Sequence, residues 1–206
     1  MFSRNSTRGL LLALAMLGGC ATPRGEQLPD LSDWDFRSRV LAEIDEFEFV
    51  GRIAVQAAGD GFNGKLRWYQ DQAQFRASLS GPLGIGTVRI EGDGDVVEIT
   101  DKDGATTVLA DVEQDLYYRY GWTIPVQSLR FWALGIPDPR VPAETVFNDE
   151  GELTQLVQRG WTVAASRYRD VGGGQPMPQR LVAENADTEV RLVIDRWVFR
   201  ETVALW

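Results

Sequence analysis

No histidine occurs anywhere in these 206 residues, and there is a single cysteine. The first absence removes serine–histidine triads, cysteine–histidine dyads and histidine-based zinc or iron sites. The second removes any intramolecular disulfide, so stability must come from a hydrophobic core and not from a stapled scaffold. Basic residues are in deficit as well: 21 Lys and Arg stand against 30 Asp and Glu, a formal charge of −9. That balance argues against nucleic acid, whose binding rests on neutralising phosphates, and against electrostatic adhesion to anionic lipid. Beyond the N-terminal run, no segment reaches the roughly 18 consecutive apolar residues that a membrane-spanning helix needs.

The N-terminus carries the first positive signal. Arg4 and Arg8 precede an apolar run from Gly9 to Leu17, too short to span a bilayer as a mature helix, which reads as an export signal. It ends in Leu17-Gly18-Gly19-Cys20, the pattern of a bacterial lipobox, in which the thiol is lipidated before cleavage. An ordinary cleavage site followed by a free Cys20 thiol is the alternative. Residues 1–19 are therefore expected to be a lipoprotein signal peptide, and 20–31 a lipidated N-terminus and a tether containing Pro23, Gly25 and Pro29. Residues 32–206 are expected to form a single domain. Ala21 follows the cysteine in place of the aspartate that favours inner-membrane retention in enterobacterial-type sorting, so the expected destination is the outer membrane. Losing Arg4 and Arg8 with no acid takes the formal charge from −9 to −11.

Ser32 and Asp35 stand at capping-box spacing before Trp34, Leu41 and Ile44, which predicts one amphipathic helix. From Phe47 the period changes to two. Phe47, Phe49, Gly51, Ile53 and Val55 alternate with polar neighbours, as do Phe62, Gly64, Leu66 and Trp68, then Phe75, Ala77 and Leu79. Further strands are expected at 86–92, 95–101, 105–110, 144–149, 153–158, 161–169, 179–185 and 188–197, about eleven in all by pattern and turn signals. Short polar turns imply antiparallel pairing, and so many strands imply a sheet that curls. In 112–135, Leu116, Tyr117 and Tyr120, then Val126, Leu129, Trp132 and Ala133, follow helical spacing; Pro125 opens the second helix, and Gly135 and Pro137 stop it. The expected fold is mainly β: a curved antiparallel sheet with about three helices, two of them inserted midway to cover its open face.

Residues able to carry chemistry are sparse. Glu46, Glu48, Asp93, Asp95, Asp101 and Asp103 remain, but they fall in turns or on the polar phase of strands, where a solvated face is the default. Asp93-Gly94-Asp95 and Asp101-Lys102-Asp103-Gly104 lack EF-hand spacing and read as hairpin turns. Gly81-Pro82-Leu83-Gly84-Ile85-Gly86 and Gly172-Gly173-Gly174 lack the Lys-Ser/Thr of a phosphate-binding loop. No catalytic residue, cofactor or metal is expected.

Seven motifs, in order, resemble the LolB family of outer-membrane lipoprotein receptors. They are Gly51-Arg52-Ile53-Ala54-Val55; the Phe62 to Tyr69 strand with Lys65-Leu66-Arg67-Trp68; Gly81-Pro82-Leu83-Gly84; and Gly121-Trp122-Thr123-Ile124-Pro125-Val126, followed by Leu129-Arg130, Trp132 and Leu134-Gly135-Ile136-Pro137. Gly160-Trp161-Thr162-Val163, Pro178-Gln179-Arg180-Leu181 and Arg191-Leu192-Val193-Ile194-Asp195-Arg196-Trp197 complete the set.

The resemblance implies an incomplete antiparallel β-barrel with a helical lid around a hydrophobic cavity. It also implies a monomer that accepts cargo lipoproteins from a LolA-like periplasmic carrier and passes them to the outer membrane, where its own lipid anchor holds it. Cavity candidates are Phe49, Ile53, Leu66, Trp68, Phe75, Leu79, Val88 and Ile90 from strands, with Trp122, Leu129 and Trp132 from the helices. By period alone the same residues are more often an ordinary packed core, and only the resemblance raises a cavity above it. Leu83, flanked by Gly81, Pro82 and Gly84, matches a protruding hydrophobic residue linked in the family to membrane delivery; a leucine folded back on the sheet edge is the alternative. Two further readings stay open: a scaffolding lipoprotein with a packed interior that binds a protein partner at a sheet edge, and an exported glycan-active enzyme using two carboxylates. The apolar tail within 198–206 is not covered by the motifs.

Overall fold

The computed structural model describes residues 34–57, 59–81, 87–93, 95–120, 124–171 and 176–199. Cys20, the tether, the Ser32 cap, Pro82, Leu83, Gly84, Trp122 and the tail from 200 lie outside the described residues. Helix α1 (Trp34–Ala42) leads into a six-strand meander: β1 (Glu46–Ala57), β2 (Asp60–Asp71), β3 (Gln74–Ser80), β4 (Thr87–Gly92), β5 (Val97–Thr100) and β6 (Thr106–Leu109). Two helices follow, α2 (Val112–Tyr120) and α3 (Val126–Ala133). The chain then returns through β7 (Glu144–Phe147), β8 (Leu153–Gln158), β9 (Trp161–Ser166), β10 (Arg169–Asp170), β11 (Pro176–Met177), β12 (Arg180–Glu184) and β13 (Thr188–Phe199).

Eleven of these strands form one sheet in the order β6-β5-β4-β3-β2-β1-β13-β12-β9-β8-β7, with every pairing antiparallel, and β10 and β11 pair separately. The expected strand 161–169 is thus two elements: β9 stays in the main sheet, while Arg169 and Asp170 join a small ribbon after Arg167, which has φ of 59°. The sheet does not close, since β6 and β7 are its two edges and do not pair with each other. The connection between those edges is α2–α3, so the helices run where a complete barrel would have its last pairing. This is an incomplete barrel.

The alternation read in β1 holds. Phe47, Phe49, Gly51, Val55 and Ala57 are buried while their neighbours are at least half-buried or exposed. A β-bulge falls between Val50 and Gly51 in the pairing with β13. There, a Cβ on Gly51 would lie 2.2 Å from the Val193 carbonyl oxygen, so the close backbone approach requires glycine. One end of the interior is closed by stacked aromatics, Phe49 on Trp68 at 6.0 Å and Trp68 on Phe75 at 4.6 Å, with Trp197 tilted against Phe49 at 5.1 Å.

Helix α3 ends as its sequence indicates. Gly135 has φ of +75°, its N–H bonds the Trp132 carbonyl and the Ile136 N–H bonds the Phe131 carbonyl, which is a Schellman termination. In α2 the residues at helical spacing part company: Leu116, with Val112, turns inward, whereas Tyr117 is half exposed and Tyr118 more so. Val112 and Leu116 are four apart and share a face, while Tyr117, one position on, is rotated about a quarter-turn away.

Candidate functional site

The inner face of the sheet does not pack solid against α2 and α3. A cavity of about 360 Å³ lies between them, and among the described residues of its wall Asp101 alone is polar. Ten of the sequence candidates come together around it: Phe49, Ile53, Leu66, Trp68, Phe75, Leu79, Val88 and Ile90 from β1 to β4, and Leu129 and Trp132 from α3. Trp122 lies outside the described residues. Further lining comes from Val112 and Leu116 of α2, Ile124 and Val126 at the start of α3, and Val163, Leu181, Ala183, Val190 and Leu192 from the second half of the sheet. Those second-half residues sit at alternate positions of strands that had been recognised, so extending the same period-two reading to β9, β12 and β13 would have found them.

Cross-strand register explains the layering. Phe49 faces Trp68, Gly51 faces Leu66, and Leu66 in turn faces Leu79, which faces Val88. The aromatic layer is therefore followed by a layer whose β1 position carries no side chain. Gly64, facing Ile53, adds a second such position; the Phe62 ring leans across it, with its Cζ 2.9 Å from where a Cβ would be. At both glycines a neighbouring backbone carbonyl, of Val193 at Gly51 and of Ser80 at Gly64, comes too close for a Cβ, so the inner face keeps its register only with glycine there.

The wall formed by α3 is held by polar contacts behind it. Ser128 Oγ donates to Asp138 Oδ2 at 2.9 Å, and Trp132 Nε1 donates to Gln158 Oε1 at 3.0 Å. Arg140 closes on Asp138 through Nε at 2.9 Å and Nη2 at 2.8 Å. Burial by itself raises the Asp138 carboxyl. The Arg140 guanidinium and backbone N–H, the Ser128 hydroxyl and the Arg140 charge together outweigh it and hold the group below its ordinary value. Arg130 Nη1 also donates to the Gln72 carbonyl at 2.8 Å, and Gln127, which accepts from Arg140 Nη1 at 3.0 Å, hydrogen-bonds Asp95. Helix α2 has one described side-chain tie of this kind to the sheet, Glu113 to Arg159 at 2.9 Å.

The carboxylates are spent on local structure. Asp101 reaches the cavity wall, but its Oδ1 accepts the Asp103 and Ala105 N–H groups at 2.8 and 2.9 Å, as a turn aspartate does. Asp93 Oδ1 accepts from Asp95 and Val96, and the Val96 N–H is the main reason its carboxyl titrates below the usual value. Glu48 pairs with Arg67 and Asp103 with Lys102. Among the described residues, no group of three His, Cys, Asp or Glu is placed to hold a metal ion. Gly81 is buried at the end of β3, and the loop beyond it lies outside the described residues.

A family model described as "Outer membrane lipoprotein LolB" matches residues 45–197. Similar proteins carrying the name "Outer-membrane lipoprotein LolB" include one from Nitrosococcus oceani, 31% identical over 91% of this chain and 94% of that protein. Another, from Marinobacter nauticus, is 31% identical over 92% of this chain and 95% of its own length. Among solved structures, a LolA-superfamily protein from Nitrosomonas europaea superposes with a TM-score of 0.53 at 10% identity, over 82% of this chain and 94% of that one. A DUF1329-family protein from Desulfovibrio piger gives 0.52 at 7% identity, over 84% of this chain and 93% of that one. At such identities the structural likeness speaks to the fold alone.

Proposed function

The chain belongs to the LolB family of outer-membrane lipoproteins, and on that premise we propose that it receives lipoproteins from a LolA-like periplasmic carrier and inserts them into the outer membrane. It is held at the periplasmic face by acyl groups on Cys20, at the end of a tether spanning 20–31, and acts as a monomer through the one domain at 32–206. The observation that carries this reading is the cavity: about 360 Å³, whose described wall is apolar but for one acid, Asp101. Pockets of roughly 300–1,000 Å³ hold small ligands, and one with a single acid among apolar walls is suited to hydrocarbon.

The physics needs no catalytic group. Each acyl chain of a lipoprotein is worth on the order of 10 kcal/mol in a bilayer, at ~0.8 kcal/mol per buried CH₂, so unassisted passage through water is negligible. A protein that shields the chains can move them if each successive site binds more tightly; differences in affinity then set the direction, and the bilayer is the final sink. In this reading Phe49, Ile53, Leu66, Trp68, Phe75, Leu79, Val88, Ile90, Trp122, Leu129 and Trp132 contact the chains, and Leu83 on its Gly81–Gly84 loop enters the membrane. The scaffolding alternative requires a filled interior, and the cavity weighs against it.

The test mixes the mature protein with lipoprotein-loaded carrier, asks whether cargo co-purifies with it, and then adds liposomes. Cargo that transfers and enters the liposomes supports the receptor role. A folded protein that takes up no cargo overturns it in favour of scaffolding.

A further inference from the structure

The outer face of the same sheet carries a groove lined by Arg67, Tyr69, Arg76, Ser78, Arg89 and Glu91. Its geometry follows from register. Ser78 on β3 faces Arg67 on β2 and Arg89 on β4, so two guanidinium-bearing residues flank one small residue, and Arg76 lies two positions along β3 on the same face. Lys65 faces Ser80 at the next outward step. Two of the cations are held in place: Glu48 pairs with Arg67 at 3.1 Å, and the Arg76 guanidinium lies 4.8 Å from the centre of the Tyr69 ring. Among the described residues, Arg89 and Lys65 have no ion pair, and Glu91 is the one acid in the groove wall.

We propose that this groove binds the phosphates of anionic lipid headgroups and seats the sheet against the membrane during delivery. The inference rests on the proposed insertion role of the loop after β3. Ser80 and Thr87 are the described residues in register at the end of the β3–β4 hairpin, and the Ser78–Arg89 pair lies two residues back, or roughly 7 Å at the rise of a strand. A loop that enters the acyl region from this hairpin therefore brings Lys65, Arg67 and Arg89 to headgroup level. Three guanidinium-bearing residues around a serine match phosphate oxygens, which guanidinium groups bind in fork geometry. The groove offers no aliphatic anchor and one half-buried tyrosine under Arg76, whereas protein partners are gripped mainly by buried aromatic and apolar residues. Phosphate is the better fit.

The formal charge, −9 for the whole sequence and −11 without residues 1–19, does not oppose this. Screening confines the surface potential to about 8 Å at physiological salt, so the face turned to the membrane decides attraction, and the acidic remainder favours that one orientation.

The experiment uses the full mature chain, exported behind its signal with Cys20→Ser so that no acyl anchor masks weaker binding. Co-sedimentation is measured with vesicles of mixed phosphatidylglycerol and phosphatidylcholine and with pure phosphatidylcholine. Expected is binding to the anionic vesicles alone, abolished by high salt and weakened roughly tenfold or more in Arg67→Gln/Arg76→Gln/Arg89→Gln. Arg89→Gln alone breaks no ion pair and gives a smaller loss in the same direction should the triple variant misfold. Removing the same charge elsewhere, with Arg39→Gln/Arg167→Gln/Arg169→Gln, leaves binding unchanged.

Equal binding to both vesicle types, or a triple variant that melts and binds like wild type, overturns the proposal. Displacement by inorganic phosphate well beyond that by chloride at equal ionic strength overturns it in favour of a free-ion site. Indifference to anionic vesicles together with capture by polyglutamate overturns it in favour of an acidic protein. Cargo uptake by the cavity, measured in parallel, reports on the receptor reading independently.

Discussion

The indole N–H of Trp132, on α3, donates to the side-chain oxygen of Gln158, at the end of β8, over 3.0 Å inside the core. Gln158 also accepts the Asp138 N–H at 3.0 Å and donates to the carbonyls of Asp138 and Val141 at 2.9 and 2.7 Å. One amide thus fixes the helical wall of the cavity, the α3–β7 connection and the sheet in a single arrangement. Gln158→Leu strands two donors and two acceptors in a buried site, each at about 1–3 kcal/mol if it finds no water. The expected loss is about 3 kcal/mol, read as a lower urea midpoint at unchanged slope.

Leu129 and Leu156 separate a cavity wall from a packed core. Leu156 is fully buried, whereas Leu129 is half-buried and borders the cavity. Leu156→Ala removes contacts on all sides and is expected to cost about 3 kcal/mol, within the ~2–5 kcal/mol range of such truncations. Leu129→Ala removes a side chain that already lacks neighbours on one side and should cost about 1 kcal/mol while enlarging the cavity. Chemical denaturation of both variants tests this, and equal losses would mean that Leu129 is core.

The strand pattern was legible because its cause is local. Phe47 to Val55 and Phe62 to Trp68 alternate whatever they pair with, and Gly135 before Pro137 ends a helix in any context. The cavity wall was half legible for the same reason: inward phases name Phe49, Leu66 and Leu79 but do not distinguish a lined void from packing, which depends on what sits opposite. Gly51 facing Leu66 is a register fact, and register is not local. Gln70 and Gln158 were missed altogether. Both fall at strand ends among polar neighbours, and nothing in their surroundings announces that an indole N–H waits for each, Trp68 at 3.1 Å and Trp132 at 3.0 Å. The outward arginines were averaged into a negative total, although register gathers them on one face.

Acid should loosen the α3 anchor at a defined place. The Asp138 carboxyl is held below its ordinary value of 3.8, so its contribution to stability is fully present above that pH. The contribution is lost as pH falls through the lower folded-state value. Asp138→Asn is expected to flatten that part of the acid limb, with the loss appearing already at neutral pH. The opposite sign applies to Tyr168, whose phenol is raised above 10.0 chiefly by burial and donates to the Leu153 carbonyl at 2.8 Å. Its contribution is present below pH 10 and lost above, and Tyr168→Phe should abolish that alkaline loss. Thermal melts across pH measure both limbs.

Delivery and acceptance should come apart at Leu83. If the loop after β3 enters the bilayer, the leucine supplies apolar area that a carboxylate would reverse, at a cost of several kcal/mol for a buried charge. The cavity is lined from other elements, so Leu83→Glu is expected to accept lipoprotein from the carrier at the wild-type level and to hold it when liposomes are added. Leu83→Ala keeps an uncharged loop and should deliver more slowly without blocking. The assay follows labelled cargo from carrier to receptor to liposome. Normal delivery by Leu83→Glu would remove the insertion role, and with it the reason for placing the neighbouring arginines at headgroup depth, whereas failure at the acceptance step would mean that the loop belongs to the carrier contact.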